Sequence, residues 1–310
     1  MVFLCCATPA KKNNNDFSVL GEKKRIGLRS HLYSFKKSSM SPSRIIAIPF
    51  VISAALFFYL AWEVDNKYTI YLFPVLLVLA LIFVMSPQIN WYFYQKNPPD
   101  LSRPLRKFFE TRHPYYQQLP DVLKLRFRQR TALIMAATDF IPQGLEKLTE
   151  DVKALASSNA ALLTLNRTDY LFREFEHLVV YTHPFSTPAH PDQLHASELY
   201  EEGANSTLIF SIQHLIKGTL QPAQYFNVGL YEYARAYRIC FPEVTFPQME
   251  DDQWPLLEKV GGVEKSALVS YINLEPLDVQ AVAVAWFFTF PQRFKAILPE
   301  AYETLKQIFG

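Results

Sequence analysis

Side chains able to do chemistry gather at two places in this 310-residue chain. The first is His183, His190 and His195, with Glu198 and Glu201 close behind; imidazole and carboxylate are the side chains that hold zinc. No two of these histidines stand four residues apart, the spacing that lets two imidazoles on one helical face grip one metal, and loop histidines of this kind are expected in solvent rather than on a metal. The second is the pair Glu232 and Asp278, two carboxylates that would divide general-acid and general-base work if the fold brought them together. Nine glycines form no GxGxxG and no GxxxxGK, which excludes the corresponding nucleotide-binding loops. Cys5, Cys6 and Cys240 have neither the number nor the spacing for a disulfide framework or a structural zinc site, and they suit a reducing compartment.

The elements that must position these groups follow from an uneven distribution of charge. The net charge of +2 conceals a basic tail, residues 1–44, with nine Lys/Arg against two acids. Residues 45–95 hold one base and two acids, and within them Ile45–Trp62 and Tyr68–Gln95 carry no charge at all. Each run is long enough to cross a hydrocarbon core of about 30 Å. Only Glu63-Val-Asp-Asn-Lys67 separates them, so they are expected to form an antiparallel membrane hairpin. Basic residues on both outer sides put both termini in the cytoplasm of a two-span inner or plasma membrane protein. Aromatic residues at the ends of the runs, Trp62, Tyr68, Trp91 and Tyr92 among them, suit the membrane interface. The first 39 residues are polar and unpatterned, and Met40 opens a short lead that could be the true start. Nothing around Cys5 and Cys6 forms a lipid-attachment motif.

A basic linker, residues 96–112, follows the hairpin, and residues 113–310 read as a folded domain. Residues 96–130 together carry nine bases against three acids. Aromatics interleave with them, yet their place beside a membrane span favours anionic lipid over nucleic acid, and no direct nucleic-acid contact is expected. Helical spacing covers Asp121 to Ala137, Thr149 to Leu163, Tyr225 to Ile239, Asp278 to Phe288 and Pro291 to Phe309. His177–Tyr181 and Thr207–Ser211 are short, β-branched and aromatic, and read as strands. The fold class is therefore α+β: a two-helix transmembrane hairpin, then a mainly helical domain with a small sheet.

The blocks His113-Pro-Tyr-Tyr-Gln-Gln-Leu119, Phe140-Ile-Pro-Gln-Gly144, Leu178-Val-Val-Tyr-Thr-His-Pro-Phe185, Phe226-Asn-Val-Gly-Leu-Tyr-Glu-Tyr-Ala-Arg235 and Asp278 through Trp286-Phe-Phe288 occur in the order and spacing of one family. The chain resembles the Mlc titration factor A family of bacterial zinc-dependent peptidases over roughly residues 113–310. That resemblance implies a zincin-like peptidase domain with a His-Glu-x-x-His helix, whose glutamate is the general base, and an acidic third zinc ligand on a later helix. Here the helix reads Tyr231-Glu232-Tyr-Ala-Arg235. Glu232 and Tyr271 match the family's catalytic glutamate and transition-state tyrosine, and Asp278 matches its acidic ligand. Tyr231 and Arg235 stand where the two histidines belong.

A phenol is a poor ligand at neutral pH and a guanidinium offers no acceptor, so no metal is expected where the family uses zinc. Arg235 is expected to stand in for the ion by pairing with Asp278 and with Glu232. Without a metal, Glu232 reads as a structural carboxylate in an ion pair rather than as a surviving general base. The leading expectation is a membrane-tethered, catalytically degenerate member that binds a cytoplasmic protein, a transcriptional regulator being the candidate the resemblance offers. An active metal-dependent aminopeptidase with unusual ligands, and a membrane scaffold acting through its hairpin, are the alternatives.

Overall fold

The computed structural model describes residues 41–202 and 205–310. The tail's first forty residues, with Cys5, Cys6 and Met40, lie outside the described residues. Two apolar helices open the described chain, α1 (Pro42–Glu63) and α2 (Thr69–Val84). With the short turn that precedes it, the second measures 19 residues against 22 for the first, and both are long and apolar enough to span a membrane. They pack as a hairpin, with the rings of Phe57 and Tyr71 stacked 5.8 Å apart across it.

The second charge-free run does not continue as one helix. It breaks at Met85, and a separate helix α3 (Ser86–Lys96) follows. The cause is Pro87, which has no N–H for the carbonyl of Phe83 and would clash with it in a continuing helix. The Ser86 hydroxyl donates to that carbonyl instead, at 2.8 Å. Helix α3 then lies against the start of α1, where the Asn90 side chain accepts from the Ser43 amide at 2.9 Å. A stiff linker, Asn97 to Ser102, connects to the domain and is clasped to it. The Asp100 carboxylate accepts from Arg128 (2.8 and 3.1 Å) and from Arg106 (3.3 Å), while Gln129 donates to the Pro98 carbonyl.

The domain begins with α4 (Arg103–Arg112), α5 (Pro114–Gln118) and α6 (Asp121–Ala137). Pro120 occupies the cap position of α6, and Asp121 pairs with Lys124 in the first turn. Strand β1 (Asp139–Gln143), helix α7 (Glu150–Leu163), and strands β2 (His177–Tyr181), β3 (Ser197–Glu202) and β4 (Asn205–Ser211) come next. The remainder is helical: α8 (Ile212–Leu220), α9 (Val228–Cys240), α10 (Trp254–Gly261), α11 (Lys265–Ile272), α12 (Val279–Thr289), α13 (Pro291–Ile297) and α14 (Pro299–Phe309). Pro299 divides the last predicted helix in two, for the same reason as Pro87.

Four strands rather than the expected two make one sheet, in the order β1-β2-β4-β3, parallel except for the antiparallel edge strand β3. Leu178, Val180, Leu208 and Phe210 face the helices and join the main core. Val179 and Ile209 face the other way, where Phe185 of the segment between β2 and β3 covers them. Both faces are thus dry, which explains why β2 and β4 read as continuous apolar runs rather than alternating ones.

His113 ties the first helices to α7. Its Nδ1 accepts from the Tyr116 amide, so Nε2 carries the proton and donates to Ser158 Oγ at 2.9 Å. Burial pushes the imidazole down to about 3, and it stays neutral.

Candidate functional site

Helix α9 carries the matched glutamate, and the chain fixes its start with a buried amide network. The Asn227 side chain caps it, accepting from the Leu230 amide at 3.0 Å. Its Nδ2 donates to Asn159 Oδ1 on α7 (3.0 Å) and to the Tyr115 hydroxyl (3.3 Å), and Asn159 in turn donates to Leu155 O and Thr219 Oγ1. Gly229 leaves room for this network: a Cβ there would come within 2.5 Å of Asn159 Nδ2. Alanine normally favours a helix over glycine by about 1 kcal/mol. Gly229→Ala is nevertheless expected to destabilise the protein by about 1–3 kcal/mol, because crowding outweighs propensity. Thermal unfolding of the variant checks this, and a raised midpoint would show that Asn159 yields.

Along α9, Tyr233 and Tyr237 are core residues. Tyr233 packs edge-on against Phe172 at 5.1 Å, and Tyr237 lies 4.7 Å from Phe241. Glu232 is entirely buried. Its Oε1 accepts from Ser197 Oγ at the start of β3 (2.8 Å), and its Oε2 from Arg235 Nη1 (2.8 Å). Burial raises the carboxyl above its ordinary range against the pull of Arg235 and Ser197. For Arg235 burial opposes the charge, but the Glu232 carboxylate outweighs it and holds the guanidinium firmly protonated.

Tyr231, buried one position before Glu232, points its hydroxyl at the start of α12 and accepts from the Asp278 amide at 3.0 Å. Burial and the neighbouring Glu232 push its phenol upward, away from the ionised form a metal would need. Asp278 caps α12, with Oδ1 accepting from the Ala281 amide at 3.0 Å. Its Oδ2 is taken by Arg238, which also donates to Gln280. The expected pairing of Arg235 with Asp278 is therefore corrected: Arg235 serves Glu232, and Arg238, one turn further along α9, serves Asp278. The i,i+3 reach from Glu232 to Arg235 is an intrahelical pair, while a carboxylate at a facing helix start draws the next arginine.

The structure thus brings Tyr231, Glu232, Arg235 and Asp278 together. Tyr271, on α11, lies against His214, with ring centroids 5.0 Å apart, and its buried hydroxyl has no hydrogen-bond partner among the described residues. Burial, then Tyr225, pushes this phenol up to about 12. Like Arg238, Ser197 is a residue that sequence reasoning missed. It opens an edge strand whose Ser-Glu-Leu-Tyr-Glu-Glu sequence reads as a polar loop.

The histidine-rich segment also departs from expectation. His195 is fully buried rather than solvent-exposed, its Nε2 on Glu198 Oε2 at 2.9 Å, and His190 Nδ1 meets Oε1 at 3.1 Å. Burial alone would raise Glu198, but hydrogen bonds from His195 and Thr187 and the two imidazoles hold it low. Ser197 and Glu198 are consecutive on β3, so they point to opposite faces, one toward α9 and the other into this back layer. His183 lies apart, on Gln213. Among the described residues, no group of three or more His, Cys, Asp or Glu is placed to hold a metal ion.

A search of the curated proteins finds no match to the chain. Against models of protein families, residues 90–236 match the glucose-regulated metallo-peptidase M90 family, the group whose sequence blocks the chain resembles; the matched stretch includes Tyr231, Glu232 and Arg235 and stops before Tyr271 and Asp278.

Proposed function

We propose that this protein is a membrane-anchored member of the family whose zinc site has been replaced by an internal ion-pair network, and that its domain binds a cytoplasmic protein instead of cleaving peptides. One observation carries the reading. Each oxygen that would face a metal already has a protein donor: Glu232 has Ser197 and Arg235, the Tyr231 hydroxyl has the Asp278 amide, and Asp278 has Ala281 and Arg238. A catalytic zinc takes three protein ligands and keeps one position open for water. Here the donor set offers one protonated phenol, two carboxylates held by arginines and one guanidinium. That set does not fit the ion, and Arg235 supplies positive charge beside Glu232 in its place.

With no metal-bound water to activate, Glu232 has nothing to deprotonate, and its buried pair with Arg235 is structural. The hairpin α1–α2 provides the anchor, and the basic flanks place both termini on the cytoplasmic side. This reading leaves binding as the task for the domain. The family resemblance makes a transcriptional regulator the first partner to try.

The test uses the full chain in detergent, dialysed against zinc. Bound metal well below stoichiometric, and no chelator-sensitive peptide hydrolysis, are the expected results. Stoichiometric zinc together with peptidase activity that a chelator and Glu232→Gln both abolish would overturn the proposal.

A further inference from the structure

We infer that one face of α6, together with the outer face of α4, docks on the membrane surface, with Val122 and Leu125 entering the interface and Arg103, Lys107 and Arg126 meeting anionic lipid headgroups. The inference rests on the anchor reading above and adds where the domain touches the bilayer. On α6, Val122, Leu125, Arg126 and Gln129 recur at i, i+3, i+4 and i+7, so they share a face. Val122 is 86% exposed and Leu125 46%, two apolar residues side by side on one face rather than scattered singly.

Gln129 orients this face. It donates to the carbonyl of Pro98, only two residues after α3 ends. Helix α3 in turn is level with the base of the hairpin at Asn90, which holds the Ser43 amide. From Asn90 to Lys96 is about 9 Å of helix at 1.5 Å per residue. The α6 face therefore lies beside the point where the chain leaves the membrane. Helix α4 is oriented the same way: Arg106 reaches Asp100 of the linker, and Arg103 and Lys107 flank it on one face.

Charge completes the match. Arg103, Lys107 and Arg126 are exposed and have no ion-pair partner among the described residues, whereas Arg106, Lys124 and Arg128 are committed to Asp100 or Asp121. Uncommitted bases beside exposed aliphatic residues are the composition of an interfacial surface, where apolar insertion and attraction to anionic lipid add. The depression of about 510 Å³ beside this face is lined in part by Glu110 and Asp121, whose charges repel phosphate. Contact is therefore spread over the face rather than made through one headgroup pocket.

The experiment places an environment-sensitive fluorophore on Val122→Cys, and separately on Ile52→Cys in the hairpin, in a Cys5→Ser, Cys6→Ser background. Burial keeps the remaining Cys240 thiol protonated and slow to label. The full chain is reconstituted in phosphatidylcholine nanodiscs with and without phosphatidylserine. Position 122 is expected to shift to a nonpolar spectrum only with phosphatidylserine, and Lys107→Glu with Arg126→Glu to abolish that shift, while position 52 reads nonpolar throughout. An aqueous spectrum at 122 in both discs, with 52 nonpolar, overturns the docking surface and leaves the anchor standing. An aqueous spectrum at 52 overturns the anchor and the docking with it. A shift at 122 produced by inorganic phosphate or by an oligonucleotide in phosphatidylcholine discs also overturns lipid as the ligand.

Discussion

Arg235→Met is expected to destabilise the protein by about 3–5 kcal/mol near pH 8, the range for breaking a buried ion pair from one side. Glu232 has no exposed surface, and with the guanidinium gone only Ser197 donates to it. The loss depends on pH in a defined direction. A carboxyl raised in the folded state favours its protonated form there, so its contribution to stability is greatest below the unfolded value and declines as pH rises through the folded one. Burial already raises Glu232, and removing Arg235 moves it further up. The variant should therefore lose less near pH 5 than near pH 8, because the buried carboxyl can take a proton. Glu232→Gln combined with Arg235→Met should recover much of the deficit, since an amide needs no cation. Thermal unfolding of the full chain in detergent at both pH values measures all of this. A loss equal at both, or a double variant no better than the single one, would mean that Glu232 is not an ionised partner of Arg235.

Legibility in the sequence followed how local each determinant is. Charge-free length exposed the hairpin, because spanning capacity depends on a run of residues and little else. The break at Met85 was also written locally, in Ser86-Pro87, but a count of uncharged residues passes over it. Strands β2 and β4 were evident because burial on both faces makes their centres, Leu178–Val180 and Leu208–Phe210, continuously apolar. The outer strands were not: β1 contains Pro142, and β3 carries three glutamates, the polar character that edge strands use to resist further pairing.

The same distinction divides the site. Tyr231, Glu232, Arg235, Tyr271 and Asp278 were found because the order of the family's sequence blocks assigns them positions. Arg238 and Ser197 were not, because each acts on a residue distant in sequence: Arg238 reaches Asp278 across to α12, and Ser197 reaches Glu232 from β3. Nor could spacing reveal that the histidines of the β2–β3 segment converge on Glu198. Their convergence comes from the segment folding back, with His195 bridging to Phe185, over the rear face of the sheet. Counting ligand types in sequence would place chemistry there, but the geometry is that of a buried carboxylate satisfied by two imidazoles.

Restoring the two histidines is expected to create zinc affinity only in part. Tyr231→His with Arg235→His puts two imidazoles four residues apart on one face of α9 and removes the cation from Glu232 Oε2. The third ligand remains unavailable, since Arg238 still holds Asp278. The double variant should therefore bind zinc weakly. Adding Arg238→Gln frees the Asp278 oxygen and should tighten binding by about 10–100-fold, the scale on which outer groups tune a metal site. Chelator-sensitive peptide hydrolysis is expected in this triple variant alone, with Glu232 then beside a metal-bound water. Tyr271→Phe in that background should lower the rate and leave zinc affinity unchanged, because the phenol lies outside the ligand set. Competition titration against a zinc chelator, with circular dichroism to verify folding, separates the steps. A folded triple variant that takes up no zinc would show that more than the ligands has changed. Equal affinity in the double and triple variants would show that Arg238 does not withhold Asp278.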